Sequence, residues 1–301
     1  MKNKLTVTVG IAAYNEDNNI QNLLRSIITQ KEIDFHVKEI IIISDGSSDK
    51  TVEKVRGVQD KRITLLDEKE RVGQNVRQNS IFKKAKGDII VLLEADTILK
   101  DSKYLYELIK PFIAKKNISM TYGYSLPIPI KRGGFFERML SFVETLKQKK
   151  LHSLINDNLY LCGTGRAFSK EMIKTFFWPK DVPEDTYSFL FCKEKGLTIV
   201  SAPNAMVYFR SPANFSDYIK KAIKFKKGQS KLRKYFPKSL LSDNYRLKNR
   251  WMISLFLEGF YRTPIYMTAY IFVNFAKRMV SLFSPEFNPL WDISSSTKVL
   301  K

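Results

Sequence analysis

Several short stretches of the chain place acids, aromatics and glycines where they could do chemistry. Glu94-Ala95-Asp96 sets two carboxylates two residues apart, directly after the apolar run Asp88–Leu93. Hard divalent cations such as Mn2+ or Mg2+ take oxygen ligands and commonly bridge phosphates, so acids at a strand end can hold one. A pair of acids on a solvated loop is the plainer alternative. Pro183-Glu184-Asp185 puts two more acids in the first turn of an expected helix, where the macrodipole favours them. A helix end is also a rigid mount for a carboxylate that takes the proton of an attacking hydroxyl. Tyr14 offers a flat ring that can stack on a base, and Asp45 a carboxylate that can accept from a base N–H; an ordinary turn followed by a helix cap would use the same residue types. Gly163 and Gly165 permit close backbone approach, and Arg166 beside them pairs with either a phosphate or a structural acid.

The elements that must position these residues follow from hydrophobic period. Leu5–Ala12 is a short β-rich run, read as a buried strand rather than a targeting signal. Ile20, Leu23, Leu24, Ile27 and Ile28 have helical spacing. Glu39–Ile43 is continuously apolar, as expected of a strand covered by helices on both faces. It runs into Ser44–Thr51, where Ser48 or Asp49 can cap a helix over Thr51–Val58. A strand at Ile63–Leu66, a helix at Asn75–Ala85, a strand at Asp88–Leu93 and a helix at Tyr104–Lys115 complete a β-α repeat. Such alternation predicts an α/β fold, a mostly parallel sheet flanked by helices, with ligands beyond the carboxyl ends of its strands. Tyr14-Asn15-Glu16, Asp45 and Glu94-Ala95-Asp96 all fall at those ends. Further on, the pattern predicts a strand at Ser119–Leu126, helices at Phe135–Leu154 and Lys170–Phe177, a Gly-Thr-Gly pinch within Leu159–Phe168, and strands at Leu197–Val200 and Ala205–Phe209.

Taken in order, Ala12-Ala13-Tyr14-Asn15-Glu16, Ser44–Thr51, the acid-x-Asp pair, Gly163-Thr164-Gly165-Arg166-Ala167-Phe168 and Pro183-Glu184-Asp185-Thr186 resemble the GT-A fold of family 2 glycosyltransferases, across residues 5 to about 210. The resemblance implies an inverting enzyme that moves a sugar from a nucleotide-diphosphate sugar, a UDP-sugar in the first instance, to a hydroxyl of a glycan or lipid-linked acceptor, with Mn2+ or Mg2+. The alternative within the family is a GDP-sugar-dependent polyprenyl-phosphate glycosyltransferase. The resemblance assigns Tyr14 and Asp45 to the nucleotide base, Ala13 and Glu16 to the same pocket, and Ala95 and Asp96 to the donor, with Asp96 touching the metal. The family usually carries Asp-x-Asp; here the first acid is Glu94, whose longer arm reaches the metal through water or turns to the ribose. Asp185, with Glu184 beside it, matches the catalytic base. Gly163 and Gly165 match the wall beside donor sugar and acceptor. Arg71, Gln74 and Arg77 lie where the family often places a basic contact to the nucleotide. Processive members carry Gln-x-x-Arg-Trp after the acid pair; Lys221-Ala222-Ile223-Lys224-Phe225 stands here instead, which favours a single transfer. Lys224 is then a contact to diphosphate, or one residue of a solvated basic helix.

The composition sets the outer limits. With 301 residues and 44% hydrophobic content the chain can bury a large core. Cys162 and Cys192 form no metal-ligand pattern and His36 and His152 are the only histidines, so a zinc site is not expected and a reducing compartment is the default. The net charge of +21 is concentrated: residues 213–262 hold thirteen Lys/Arg against three acids, a net +10. Beside them Thr263–Ala276 is uncharged for 14 residues, shorter than the roughly 20 a bilayer span needs, and rich in aromatics. The expected division is a catalytic domain over 1–213 and a basic, aromatic-rich helical extension over 214–301, bound to an anionic membrane surface on the cytoplasmic side. Helices packed on the catalytic domain or on a second subunit are the alternative. Charge alone would also suit nucleic acid, but no nucleic-acid-binding motif accompanies it, and nucleic acid is not an expected partner. A nucleotidyltransferase on a similar sheet would carry a Gly-rich basic loop where this chain has Ala12–Asn19.

Overall fold

The structure is a computed structural model describing residues 4–130, 132–152, 165–245 and 249–282, together with Thr297, Lys298 and Leu300. Its first half is β1 (Leu5–Ala13), α1 (Ile20–Ile28), β2 (Phe35–Asp45), α2 (Thr51–Arg56), β3 (Ile63–Glu68), α3 (Gln74–Lys84), β4 (Ile89–Glu94), β5 (Ile98–Leu99) and α4 (Tyr104–Ala114). Then follow β6 (Ile118–Pro127), α5 (Phe135–His152), β7 (Arg166–Ser169), α6 (Lys170–Ile173), α7 (Glu184–Glu194), β8 (Thr198–Phe209), α8 (Phe215–Leu232), α9 (Lys238–Tyr245), α10 (Asn249–Arg262) and α11 (Pro264–Leu282).

The strands form one sheet in the order β3-β2-β1-β4-β7-β6-β8-β5. β1 pairs in parallel with β2 and β4, and β2 with β3, as the β-α alternation predicts. The other half is mixed, because β7 runs antiparallel to both β4 and β6. The apolar runs explain themselves by period: Ile40 and Ile42 face one core with Val91 and Leu93, while Ile41 and Ile43 face the other with Ile90 and Leu92. The first core takes Leu23, Leu24 and Ile27 of α1 and Leu105, Leu108 and Ile109 of α4; the second takes Phe82, Phe168, Trp178 and Phe189.

Two of the boundaries that differ from expectation have a visible cause. Residues 198–209 form one strand rather than two. Its pairing jumps from Tyr122↔Ser201 to Tyr124↔Met206, so residues 202–205 bulge at Pro203, which has no N–H to give the ladder, while Ala202 and Ala205 stay buried in the core. The helix expected to Phe177 stops at Ile173, because Phe176 and Trp178 turn into the core, with ring centroids 4.6 Å apart. The basic extension opens on α8, which Asn214 caps, its Oδ1 accepting from the Asp217 N–H at 2.9 Å. Its helices share cores with the sheet. Leu232, Trp251 and Leu255 join the cluster of Phe189, and Tyr218 packs on Met139 and Leu140 of α5.

Candidate active site

The carboxyl ends of β1 and β2 are latched together. Asn15 takes a left-handed turn (φ 51°), its N–H donating to Ser47 Oγ at 3.1 Å and its Oδ1 accepting from the Ser48 N–H at 2.8 Å. The Glu16 N–H donates to Thr51 Oγ1 at 2.7 Å, and the Asp17 N–H to Asp49 Oδ2 at 3.1 Å. Asp49 also accepts from the Thr51 N–H just before α2, whose N-cap is Lys50 rather than Ser48 or Asp49. Ala13 is buried and Tyr14 is half-buried at the rim, with the Arg71 guanidinium 3.9 Å from its ring centroid. Asp45 organises this corner from within: Oδ1 accepts from the Val72 N–H and Arg77 Nε, and Oδ2 from the Gly73 N–H, at 2.7–2.9 Å. Arg77 is therefore a buried anchor for Asp45, whereas Arg71 lies on the surface of Tyr14. Gln74 is the first residue of α3.

The acids gather beside this corner, within electrostatic range of one another. Glu94 ends β4 and Asp96 follows the buried Ala95. Burial pushes the Glu94 carboxyl up to about 8, reinforced by the negative charges of Asp96, Glu184 and Asp185 and opposed by Arg166. Burial and then Glu184 push Asp185 up to about 6, against the pull of Arg166 and hydrogen bonds from Thr186. Glu16 is pushed up to about 7 by burial and then by Asp96, with Lys298 and Asn19 pulling the other way. Three of the chain's acidic clusters thus share one electrostatic neighbourhood.

What holds Glu184 and Asp185 in place is a set of polar contacts behind them. Pro183 precedes the first turn of α7. The Trp178 indole N–H donates to the Glu184 carbonyl at 2.8 Å. Asn75 donates to the carbonyls of Pro179 and Val182, and Asn79 both donates to the Trp178 carbonyl and accepts its N–H. Asn75 and Asn79 lie four apart on one face of α3 and fasten the 178–182 loop. Arg166, only 2% exposed, directs Nη2 to Glu184 Oε1 at 3.7 Å and Nη1 to Ser188 Oγ at 3.2 Å. The structural acid is one of its two expected partners. Gly165 has φ +77°, and a side chain there would collide with the buried Tyr104 hydroxyl. Gly163 lies outside the described residues. Lys224 on α8 is reached by solvent and is within electrostatic range of Glu184, Glu94 and Asp96.

Asn19, Asn75, Asn79, Tyr104, Trp178 and Lys298 were not anticipated. For Asn75 and Asn79 a signal existed: polar residues spaced by four on a helix whose buried face is mostly polar. Nothing local marks Lys298.

The oxygen-only donor set of Glu94 and Asp96 suits a hard divalent cation. Among the described residues no three His, Cys, Asp or Glu side chains could enclose a metal ion. The arrangement therefore fits a cation held by one or two carboxylates and completed by phosphate oxygens.

A mixed sheet flanked by helices, with acids at the ends of β4 and α7, defines a GT-A glycosyltransferase. The chain belongs to glycosyl transferase family 2, whose model matches residues 8–177, more than half of it. It is 26% identical over 232 residues to poly-beta-1,6-N-acetyl-D-glucosamine synthase of Staphylococcus aureus, covering 74% of this chain and 54% of that protein. The chain thus spans about half the length of that curated relative. It is 25% identical over 207 residues to a glycosyltransferase of Haemophilus influenzae, covering 68% of this chain and 78% of that one. Among solved structures it resembles a mannosyltransferase from Pyrobaculum calidifontis in complex with GDP-Man and Mn2+, with TM-score 0.61 and 18% identity over 93% of this chain and 84% of that chain. It also resembles glucosyl-3-phosphoglycerate synthase from Mycobacterium tuberculosis in complex with Mn2+, UDP and phosphoglyceric acid, with TM-score 0.51 and 17% identity over 78% and 80%.

Proposed function

We propose that this chain is an inverting, single-transfer glycosyltransferase that moves a sugar from a UDP-sugar to a hydroxyl of a glycan or lipid-linked acceptor, assisted by Mn2+ or Mg2+. The observation that carries this reading is that Asp185 and Asp96 both lie within electrostatic range of Glu94 at the carboxyl edge of the sheet. One acid group can then serve the leaving diphosphate while another serves the incoming hydroxyl. Asp96, with Glu94 beside it, would hold the cation, which when bound offsets the charge of the departing diphosphate. Asp185 accepts the acceptor's proton as its oxygen forms the bond to the anomeric carbon and the bond to the diphosphate oxygen breaks, with inversion at that carbon. Arg166 holds Glu184, and with it the start of α7, without touching substrate. Lys224 adds positive charge on the diphosphate side, and Tyr14 and Arg71 offer a stacked platform for the base.

The relatives support sugar transfer in general terms: one is a synthase of an N-acetylglucosamine polymer. Lys221–Phe225 in place of Gln-x-x-Arg-Trp supports a single transfer here. A GDP-sugar with a polyprenyl-phosphate acceptor is the second reading, and the solved neighbours hold GDP-Man in one case and UDP in another. Titrating UDP and GDP with Mn2+ or EDTA, then assaying nucleotide release from a panel of nucleotide sugars, separates the two. Anomeric configuration of the product by NMR tests inversion. No response to either nucleotide with Mn2+ would remove the reading.

The same proposal extends to location, the cytoplasmic face of a membrane with an anionic surface. Among the described residues no helix is long and apolar enough to cross a membrane. α10 and α11 nevertheless expose Leu257, Tyr261, Ile265, Phe272 and Phe275 beside the basic helix α8, a surface suited to the interface rather than the bilayer interior.

A further inference from the structure

Lys298 enters the candidate donor pocket from more than 280 residues further along the chain. Its ammonium donates to the carbonyl oxygen of Tyr14, to that of Asn15 at 2.9 Å, and to Glu16 Oε1 at 2.7 Å. An ammonium has three protons, and these three oxygens use all of them. The left-handed turn at Asn15 makes this possible: it aims two successive carbonyls and the Glu16 carboxylate at one point, a small oxygen-lined seat for a cation. Lys298 also lies 5.7 Å from the Tyr14 ring centroid. The backbone around it is captured separately. Asn19, 2% exposed, donates its amide to the Lys298 carbonyl and accepts the Leu300 N–H at 3.2 Å on Oδ1. A buried side-chain amide satisfied at both ends by one distant segment makes this a specific seat.

We propose that Lys298 is a positioning residue for donor binding, an internal cation that fixes the strained Tyr14–Glu16 turn so that Tyr14 and Glu16 keep the geometry a nucleotide needs. It acts through that turn, since its three protons are already given. This rests on the reading of Tyr14 and Glu16 as donor-site residues. It makes Lys298 and Leu300 part of the support of the donor site rather than a trailing end of the extension.

The test uses the full chain with Lys298→Ala, Lys298→Met and Lys298→Arg. Two readouts are taken. Hydrogen exchange without nucleotide follows the amides of residues 15–19, several of which are protected by Ser47, Thr51 and Asp49. Exchange there should quicken in Lys298→Ala and Lys298→Met and recover in Lys298→Arg, while the β4 and α4 amides stay unchanged. Calorimetric titration of UDP and GDP with Mn2+ should show about tenfold weaker binding in the Ala and Met variants, the loss typical of one charge-assisted contact. In turnover, the loss should fall on the donor KM rather than on kcat, with partial rescue by Arg. Unchanged exchange in residues 15–19 would show that Lys298 does not hold the turn. Quickened exchange with unchanged nucleotide affinity would remove its role in donor binding. Tighter binding in Lys298→Ala would overturn the proposal in favour of a plug that nucleotide must displace. Should the wild-type chain bind neither nucleotide, the donor-site reading and this donor role fall together, while exchange still decides whether the latch exists.

Discussion

Gly228 of α8 lies against the ring of Pro183, so near that a methyl group on it would stand 2.7 Å from Pro183 Cγ. Pro183 opens the helix that carries Glu184 and Asp185, and Lys224 lies one turn before Gly228 on the same face of α8. This contact seats the basic helix beside the acidic cluster.

Gly228→Val should push α8 off Pro183 and carry Lys224 with it. Valine adds bulk where even one carbon must displace its neighbour, and overpacking of this kind costs about 1–3 kcal/mol. Transfer should fall at least about tenfold while the circular dichroism spectrum stays helical and the melting temperature drops by a few degrees. Activity within about twofold of wild type would mean that the position of α8 is unimportant to the reaction.

Asp185→Asn keeps the shape of the side chain and loses its basicity. If Asp185 accepts the acceptor's proton, kcat should drop by roughly 10²–10⁴, with donor affinity within a few-fold of wild type. The pH profile carries the same information. A base must be ionised, and Asp185 is pushed up to about 6 by burial and Glu184, so kcat/KM should rise with pH through about 6 and then level off. A profile already flat at pH 5 would exclude Asp185.

Much of this site was legible before the fold was known, and the reason is local. Ile40–Ile43 and Ile89–Leu93 are buried on both faces, so their continuous apolar character marks them as inner strands, and the polar residues that end them had to lie at one edge of the sheet. Glu94, Asp96, Tyr14 and Asp45 were found on that ground. β7 was harder to see, because four residues inserted antiparallel between β4 and β6 have no period of their own. Arg77 shows its charge in the sequence, but its buried partner Asp45 is visible only in the fold. Lys298 and Asn19 meet across almost the whole chain, through a turn whose oxygens converge only after the sheet has formed.

Glu94 gives a prediction about stability. Its folded-state value of about 8 lies above the ordinary 4.5, so the folded chain holds this proton more tightly than the unfolded chain. Stability from this group is complete below about 4.5 and is lost as pH rises toward 8. Glu94→Gln removes that loss. Without metal, its melting temperature should match wild type near pH 5 and exceed it by several degrees near pH 8. Metal acts in the opposite sense, because a cation needs ionised carboxylates. Mn2+ with UDP or GDP should stabilise wild type more at pH 8 than at pH 5.5, and should do so weakly or not at all in Asp96→Ala. Equal nucleotide binding by wild type and Asp96→Ala, with Mn2+ or with EDTA, would remove Asp96 as a metal ligand.

The exposed side of α10 and α11 supplies the last prediction. Tyr261 is 91% exposed and Phe272 69%, with Leu257, Ile265 and Phe275 similarly bare. Residues 213–262 add a net charge of +10 alongside. The two contributions to membrane binding separate by salt. At 1 M salt the Debye length falls to about 3 Å and the electrostatic part fades, while the apolar part remains. In co-sedimentation, the full chain should bind vesicles containing anionic lipid, bind neutral vesicles less, and be released only in part by 1 M salt. Leu257→Ser with Phe272→Ser and Phe275→Ser changes exposed residues, so the fold should survive and high salt should then release the protein completely. Arg233→Glu with Lys234→Glu should instead weaken binding at low salt and leave the salt-resistant fraction in place. A full chain that ignores anionic vesicles at low salt would mean that this apolar face meets protein, and the acceptor need not be lipid-linked.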